Sequence, residues 1–158
     1  MTLEKEKGRS RPRSLLSRGV LLLSRRDYSR KQLRERLLEH LEESETAEMV
    51  DETLDVLEKK GYLSEQRFAE MLCRTRSKRY GNARLSIEMR QAGLSNQVIE
   101  QALGQTEDEF QRASEVWKRR FGKAAENEKE RARQIRFLVA RGFPYDIVFR
   151  VIKDSKTE

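Results

Sequence analysis

Apolar positions recur along this chain with the 3.6-residue spacing of α-helices, and no segment alternates with period two for long enough to make a strand. Start and stop signals divide the pattern into helices near residues 14–26, 30–43, 46–60, 65–78, 83–92, 96–103, 107–121, 127–141 and 145–153. Their inward faces are predicted as Leu33/Leu37/Leu41, Val50/Leu54/Leu57, Phe68/Leu72, Leu85/Met89/Ala92, Phe110/Trp117/Phe121 and Ile135/Leu138/Val139. Gly61-Tyr62-Leu63-Ser64 reads as a left-handed helix stop followed by an N-cap, with Leu63 stapled to Phe68. Gly93-Leu94-Ser95 repeats the device, with Leu94 stapled to Ile99, and Ser29/Gln32 and Thr106/Glu109 have capping-box spacing.

Aligning these stops exposes an internal repeat. "RQAGLSNQVIEQAL" (90–103) lies over "LVARGFPYDIVFRVI" (138–152), placing Gly93 on Gly142, Leu94 on Phe143 and Ile99 on Val148 at an offset of 49 residues. That period belongs to helical arrays. The expected fold is all-α, three tandem three-helix repeat units forming an elongated, curved helical protein. The expected segments are a flexible basic tail (1–12) and units over 13–61, 62–105 and 106–156.

Composition agrees with thin cores: 36% of the 158 residues are hydrophobic and 39% are charged. The net charge of +7 is laid down in blocks, +8 over residues 1–34, −8 over 35–73, +5 over 74–90, −4 over 91–115 and +6 beyond. Such blocks point to a surface with separate positive and negative zones that selects partners. A single cysteine, Cys73, excludes a disulfide framework. The run "VLLL" at 20–23, flanked by Arg18 and Arg25, is too short for a bilayer span or a signal peptide. A cytoplasmic monomer that does not engage membranes is expected.

Catalytic chemistry is not legible. His40 is the only histidine and has no companion nucleophile in view, and it reads as a polar residue near a helix C-terminus. Cys73 borders the Phe68/Leu72 stripe and reads as a small buried hydrophobe. Asp51, Asp55 and Glu58 have the spacing of a solvated helix face. With no phosphate loop and no paired-ligand spacing, neither an enzyme nor a cofactor or metal is expected. "MRQAGLSNQVIEQ" has a helix-turn-helix cadence, but a recognition helix from Asn96 carries Glu100 and no Arg or Lys before Arg112.

The segment "RTRSKRYGNARLSIEMRQAGLS" (74–95) holds six basic residues and one acid, Glu88. A helix ending near Lys78 to Gly81 explains one or two of them through its negative C-terminus, each worth about 0.3–1 kcal/mol. Arg74, Arg76, Lys78, Arg79 and Arg84 are otherwise assigned to a partner or phosphate surface, with Tyr80 either packing as structure or stacking on a base.

With these motifs in view the chain resembles the RecX family, regulators of the bacterial RecA recombinase. "SRRDYSRKQLRERLLEH" (24–40) is similar to the family's opening helix with a basic end, followed by its Ser-x-x-x-Leu helix. Leu57, Gly61, Tyr62, Leu63, Arg67, Phe68 and Ala69 match its central motif, and Arg74, Arg76, Tyr80, Gly81, Arg84 and Gly93 continue it. Asn82 stands where the family commonly has Pro, and is expected to act as an N-cap; Arg79 replaces a Gly or Lys-Gly. The resemblance spans residues 18–152 and is most specific in the middle third. It implies a non-enzymatic negative modulator that binds RecA and the RecA–DNA filament, lying in the filament groove or at its growing end. Such a modulator suppresses ATP hydrolysis, strand exchange and repressor cleavage. Some members also bind DNA, so single- and double-stranded DNA are further expected partners. The resemblance adds Arg25, Arg26, Arg30 and Arg67 to the basic cluster as partner- or DNA-binding residues. The alternative is a stand-alone basic helical nucleic-acid-binding protein.

Overall fold

The computed structural model describes residues 14–157, so the predicted basic tail lies outside the described residues. The described residues form nine helices and no strand. They are α1 (Leu15–Arg25), α2 (Arg30–Leu38), α3 (Ala47–Lys59), α4 (Glu65–Arg76), α5 (Asn82–Gln91), α6 (Asn96–Gly104), α7 (Glu109–Arg120), α8 (Glu128–Ala140) and α9 (Tyr145–Ser155). The described residues divide into two compact bodies, one up to Ser64 and one from Glu65 onward.

In the first body α1 packs on α3, and α2 closes the bundle. Leu15, Leu33, Leu37, Val50, Leu54 and Leu57 form its core, and Leu63 joins them at 2% exposure instead of entering the cluster of Phe68. The capping box is as expected: the Gln32 amide donates to Ser29 Oγ at 3.1 Å, and the Ser29 amide to Gln32 Oε1 at 3.3 Å. Helix α2 stops at Leu38, short of the predicted 43. Beyond it, Arg18 donates to the His40 carbonyl at 2.7 Å and pairs with Glu45, fixing a turn where periodicity alone suggested more helix.

The facing helices α2 and α3 neutralise one another. Arg30 pairs with Asp55 and Glu58, each at 2.8 Å, and Arg34 with Asp51 at 2.7 Å. The acids read as a solvated face are therefore ion-paired. Because the pairs remain partly exposed, solvent screens them and their contribution to stability is small.

The second body repeats the arrangement twice: α4 packs on α6, and α7 on α9. One core gathers Phe68, Leu72, Leu85, Met89, Leu94 and Ile99; the other gathers Val116, Trp117, Leu138, Phe143, Val148 and Ile152. The latter differs in register from the predicted face, with Phe110, Phe121, Ile135 and Val139 only partly buried. Arginines cover two of those rings: Arg150 lies 3.9 Å from the Phe110 centroid and Arg120 5.5 Å from that of Phe121. The Trp117 indole donates to Gln134 Oε1 at 2.9 Å, so both polar groups are satisfied inside.

Candidate interaction surface

The basic segment 74–84 forms the end of α4, a turn and the start of α5, and the α7–α9 module grips that turn. The Gly81 amide donates to the Arg141 carbonyl at 2.8 Å, and the Ala83 amide to the Gly142 carbonyl at 3.2 Å. So close an approach requires glycine on both sides. A Cβ on Gly81 would lie 2.2 Å from the Gly142 oxygen, and one on Gly142 (φ +93°) 2.5 Å from Arg84 Cβ.

Helix α5 begins with Gly81 as N-cap and no side-chain cap of its own, so Asn82 is the first helical residue and not the cap. Its amide instead donates to Glu109 of α7 at 2.6 Å. The predicted Thr106/Glu109 box therefore does not form; Asp108 caps α7 by accepting from the Gln111 amide at 3.1 Å. Burial pushes the Glu109 carboxyl up from its ordinary value, opposed by the Asn82 amide and the charge of Arg112.

The end of α4 is held by Arg112, only 3% exposed. Its guanidinium donates to the carbonyls of Tyr80 (2.8 Å), Ser77 (3.1 Å) and Glu107 (2.8 Å), and to Asn82 Oδ1. Burial pulls this guanidinium down from its ordinary value, with Glu109 acting the other way. Arg119 donates to the Lys78 carbonyl. Side chains of α7 thus satisfy carbonyls at the end of α4, which releases the cluster's own side chains from that task.

Those side chains divide into two groups. Arg76 makes a two-pronged pair with Glu88 (2.6 and 2.7 Å), and Arg84 approaches the same carboxylate at 3.7 Å. Both also lie over the Tyr80 ring, at 4.7 and 4.0 Å, with Arg141 at 5.4 Å. Tyr80 thus serves as a platform for arginines. Arg74, Lys78 and Arg79 are exposed and have no carboxylate partner among the described residues. Arg74 and Lys78 line a shallow cleft with Glu70 and Glu107, and Arg79 lines another with Arg119, Arg120 and Arg141.

The other four sequence-derived positions are elsewhere. Arg67 is exposed on α4. Arg25 and Arg26 are exposed at the end of α1, with Arg26 over the Tyr28 ring at 4.0 Å. Arg30 is tied to α3 by the ion pairs described above. Sequence reasoning missed Arg112, Arg119, Arg120 and Arg141. For Arg112 a signal existed: it sits beside Ala113 and a turn before Val116, on the apolar stripe of α7.

Cys73 is buried, and burial pushes its thiol up, away from the thiolate a nucleophile needs. Among the described residues no group of three His, Cys, Asp or Glu side chains could hold a metal ion, and no helix is long and apolar enough to cross a membrane.

Fold and surface together define an all-α helical-repeat protein with a polar, arginine-capped joint and an exposed cationic face. The chain belongs to the RecX family of regulatory proteins. "RecX, second three-helix domain" matches residues 64–103, and "RecX, third three-helix domain" matches residues 107–152. Regulatory protein RecX of Ralstonia nicotianae is 41% identical over 145 residues, covering 91% of this chain and 89% of that one. The Chromobacterium violaceum protein of the same name is 36% identical over 140 residues, covering 89% and 90%. The crystal structure of RecX from Lactobacillus salivarius superposes with a TM-score of 0.72, covering 91% of this chain and 98% of that one; its 18% identity speaks to fold alone.

Proposed function

We propose that this chain is a non-enzymatic negative modulator of RecA: it binds RecA and the RecA–DNA filament, and suppresses ATP hydrolysis, strand exchange and repressor cleavage. Family membership supplies the regulatory role. The observation that carries the surface assignment is the set of exposed cations Arg74, Lys78 and Arg79, left unpaired because α7 holds the end of α4. In this reading Arg25, Arg26, Arg67, Arg76, Tyr80 and Arg84 flank or shape the binding faces. Arg30 acts mainly in its own body. The protein works as a cytoplasmic monomer, by contact with RecA and with an auxiliary electrostatic hold on DNA.

The rival reading makes DNA binding the whole function, and the same exposed cations favour it. Adding the purified chain to RecA assembled on single-stranded DNA and following ATP hydrolysis separates the two. Inhibition at salt concentrations where the chain no longer binds free DNA supports modulation by protein contact. Inhibition that disappears in step with free-DNA binding supports the rival.

A further inference from the structure

Arg79, at the end of the α4 segment, meets Arg119, Arg120 and Arg141 of the α7–α9 module around one cleft of about 290 Å³. Val116 and Phe137 complete its lining, which contains no acid. None of the four arginines has a carboxylate partner among the described residues. Like charges gathered this closely repel one another, and an entering anion relieves that repulsion.

Three of the four guanidiniums are also held in place. Arg120 lies 5.4 Å and Arg141 4.9 Å from the Phe137 centroid, and Arg119 is anchored on the Lys78 carbonyl. A guanidinium stacked on an aromatic ring keeps its in-plane donors free for a two-pronged bond. Little side-chain freedom then remains to be lost when an anion binds.

We propose that this cleft seats the phosphodiester backbone of a nucleic-acid strand. Three of its four arginines come from the module that the basic cluster does not include. The Lys78 side chain, next in the chain to Arg79, lines a separate cleft with Arg74. A polynucleotide presents an anion at every step of a connected backbone. An acidic peptide must instead order each flexible carboxylate stem separately. Arginine's planar fork suits phosphate oxygens.

The inference rests on the DNA hold of the proposed function and locates it. Binding of labelled oligo(dT), alone or paired with oligo(dA), is followed across salt concentrations for the full chain, R79A/R120A and R79K/R120K. Loss of two phosphate contacts should flatten the logarithmic salt slope by about 1.4 for the single strand and about 1.8 for the duplex. The lysine pair should keep the slope, which also controls for folding. A normal slope in the folded alanine variant overturns the seat. So does an unchanged DNA slope accompanied by lost poly-glutamate binding, which reassigns the cleft to an acidic protein. Absence of salt-dependent DNA binding by the full chain would remove the hold itself, whereas binding that ignores the substitutions removes only the seat.

Discussion

The amide of Gly81 donates to the carbonyl of Arg141 at 2.8 Å, and this bond closes a backbone approach that leaves no room for a Cβ on Gly81. Gly142 lies next to it, at φ +93° and against the backbone of Arg84. Gly142→Ala should therefore destabilise the second body through both left-handed strain, about 1–2 kcal/mol, and overpacking, about 1–3 kcal/mol. Gly61→Ala (φ +82°, nothing within 4 Å of an added Cβ) should show the strain alone. Denaturant titrations followed by Trp117 fluorescence for the first variant and by circular dichroism for the second measure the difference. Equal losses would mean that the close approach is not maintained in solution.

Arg112→Met keeps the length of the side chain and removes its donors. The carbonyls of Ser77 and Tyr80 then lose their guanidinium partner, and each buried acceptor left dry costs about 1–3 kcal/mol. The expected result is a loss of at least about 2 kcal/mol in the transition reported by Trp117. A near-neutral melt would show that water replaces the guanidinium.

Arg74→Glu with Lys78→Glu should leave melting nearly unchanged, since neither side chain is ion-paired and exposed charges contribute only about 0–1 kcal/mol each. Inhibition of RecA-dependent ATP hydrolysis should fall markedly. Full inhibition by the folded variant would take these residues off the binding face.

Acid should loosen the first body before the second. The hydrogen bond from Arg34 holds the Asp51 carboxyl below the usual carboxylate range, and that from Arg18 does the same for Glu45. A folded-state pKa below the unfolded one means that unfolding takes up protons at acid pH. Stability from these pairs is complete above the ordinary carboxylate range and is lost as pH falls through the folded values. Glu109, pushed up by burial, has the opposite sign: the second body gains from its protonation as pH falls. Circular dichroism should show an acid-sensitive transition that Trp117, the only tryptophan, does not report. Glu45→Gln with Asp51→Asn should flatten that pH dependence; an unflattened profile would place the acid sensitivity in other groups.

Those helices and caps that are set by near neighbours were legible: Ser29 with Gln32, Gly93 with Ser95, the apolar stripe of α3. Charge in space was not. The −8 block of residues 35–73 promised a negative zone, but Asp51, Asp55 and Glu58 meet Arg30 and Arg34 across α2 and α3. Glu109 had the spacing of a local cap and instead reaches Asn82, 27 residues away. Such a choice between near and distant donors depends on packing that no local pattern encodes. The basic segment was visible as a cluster. That Arg76 and Arg84 converge on Glu88, leaving Arg74, Lys78 and Arg79 unpaired, follows only from the turn between α4 and α5.

The borrowed caps of that turn bear on where the chain can be cut. A fragment ending at residue 105 retains every buried side chain of the α4–α6 core. It nonetheless loses Glu109 and Gly142, acceptors for the Asn82 and Ala83 amides, and Arg112, donor to the Ser77 and Tyr80 carbonyls. Two helix ends then open where they meet. A graft that exchanges only one of the two modules brings the same frayed turn to a new host. As genetic building blocks, residues 64–152 travel as a single cassette.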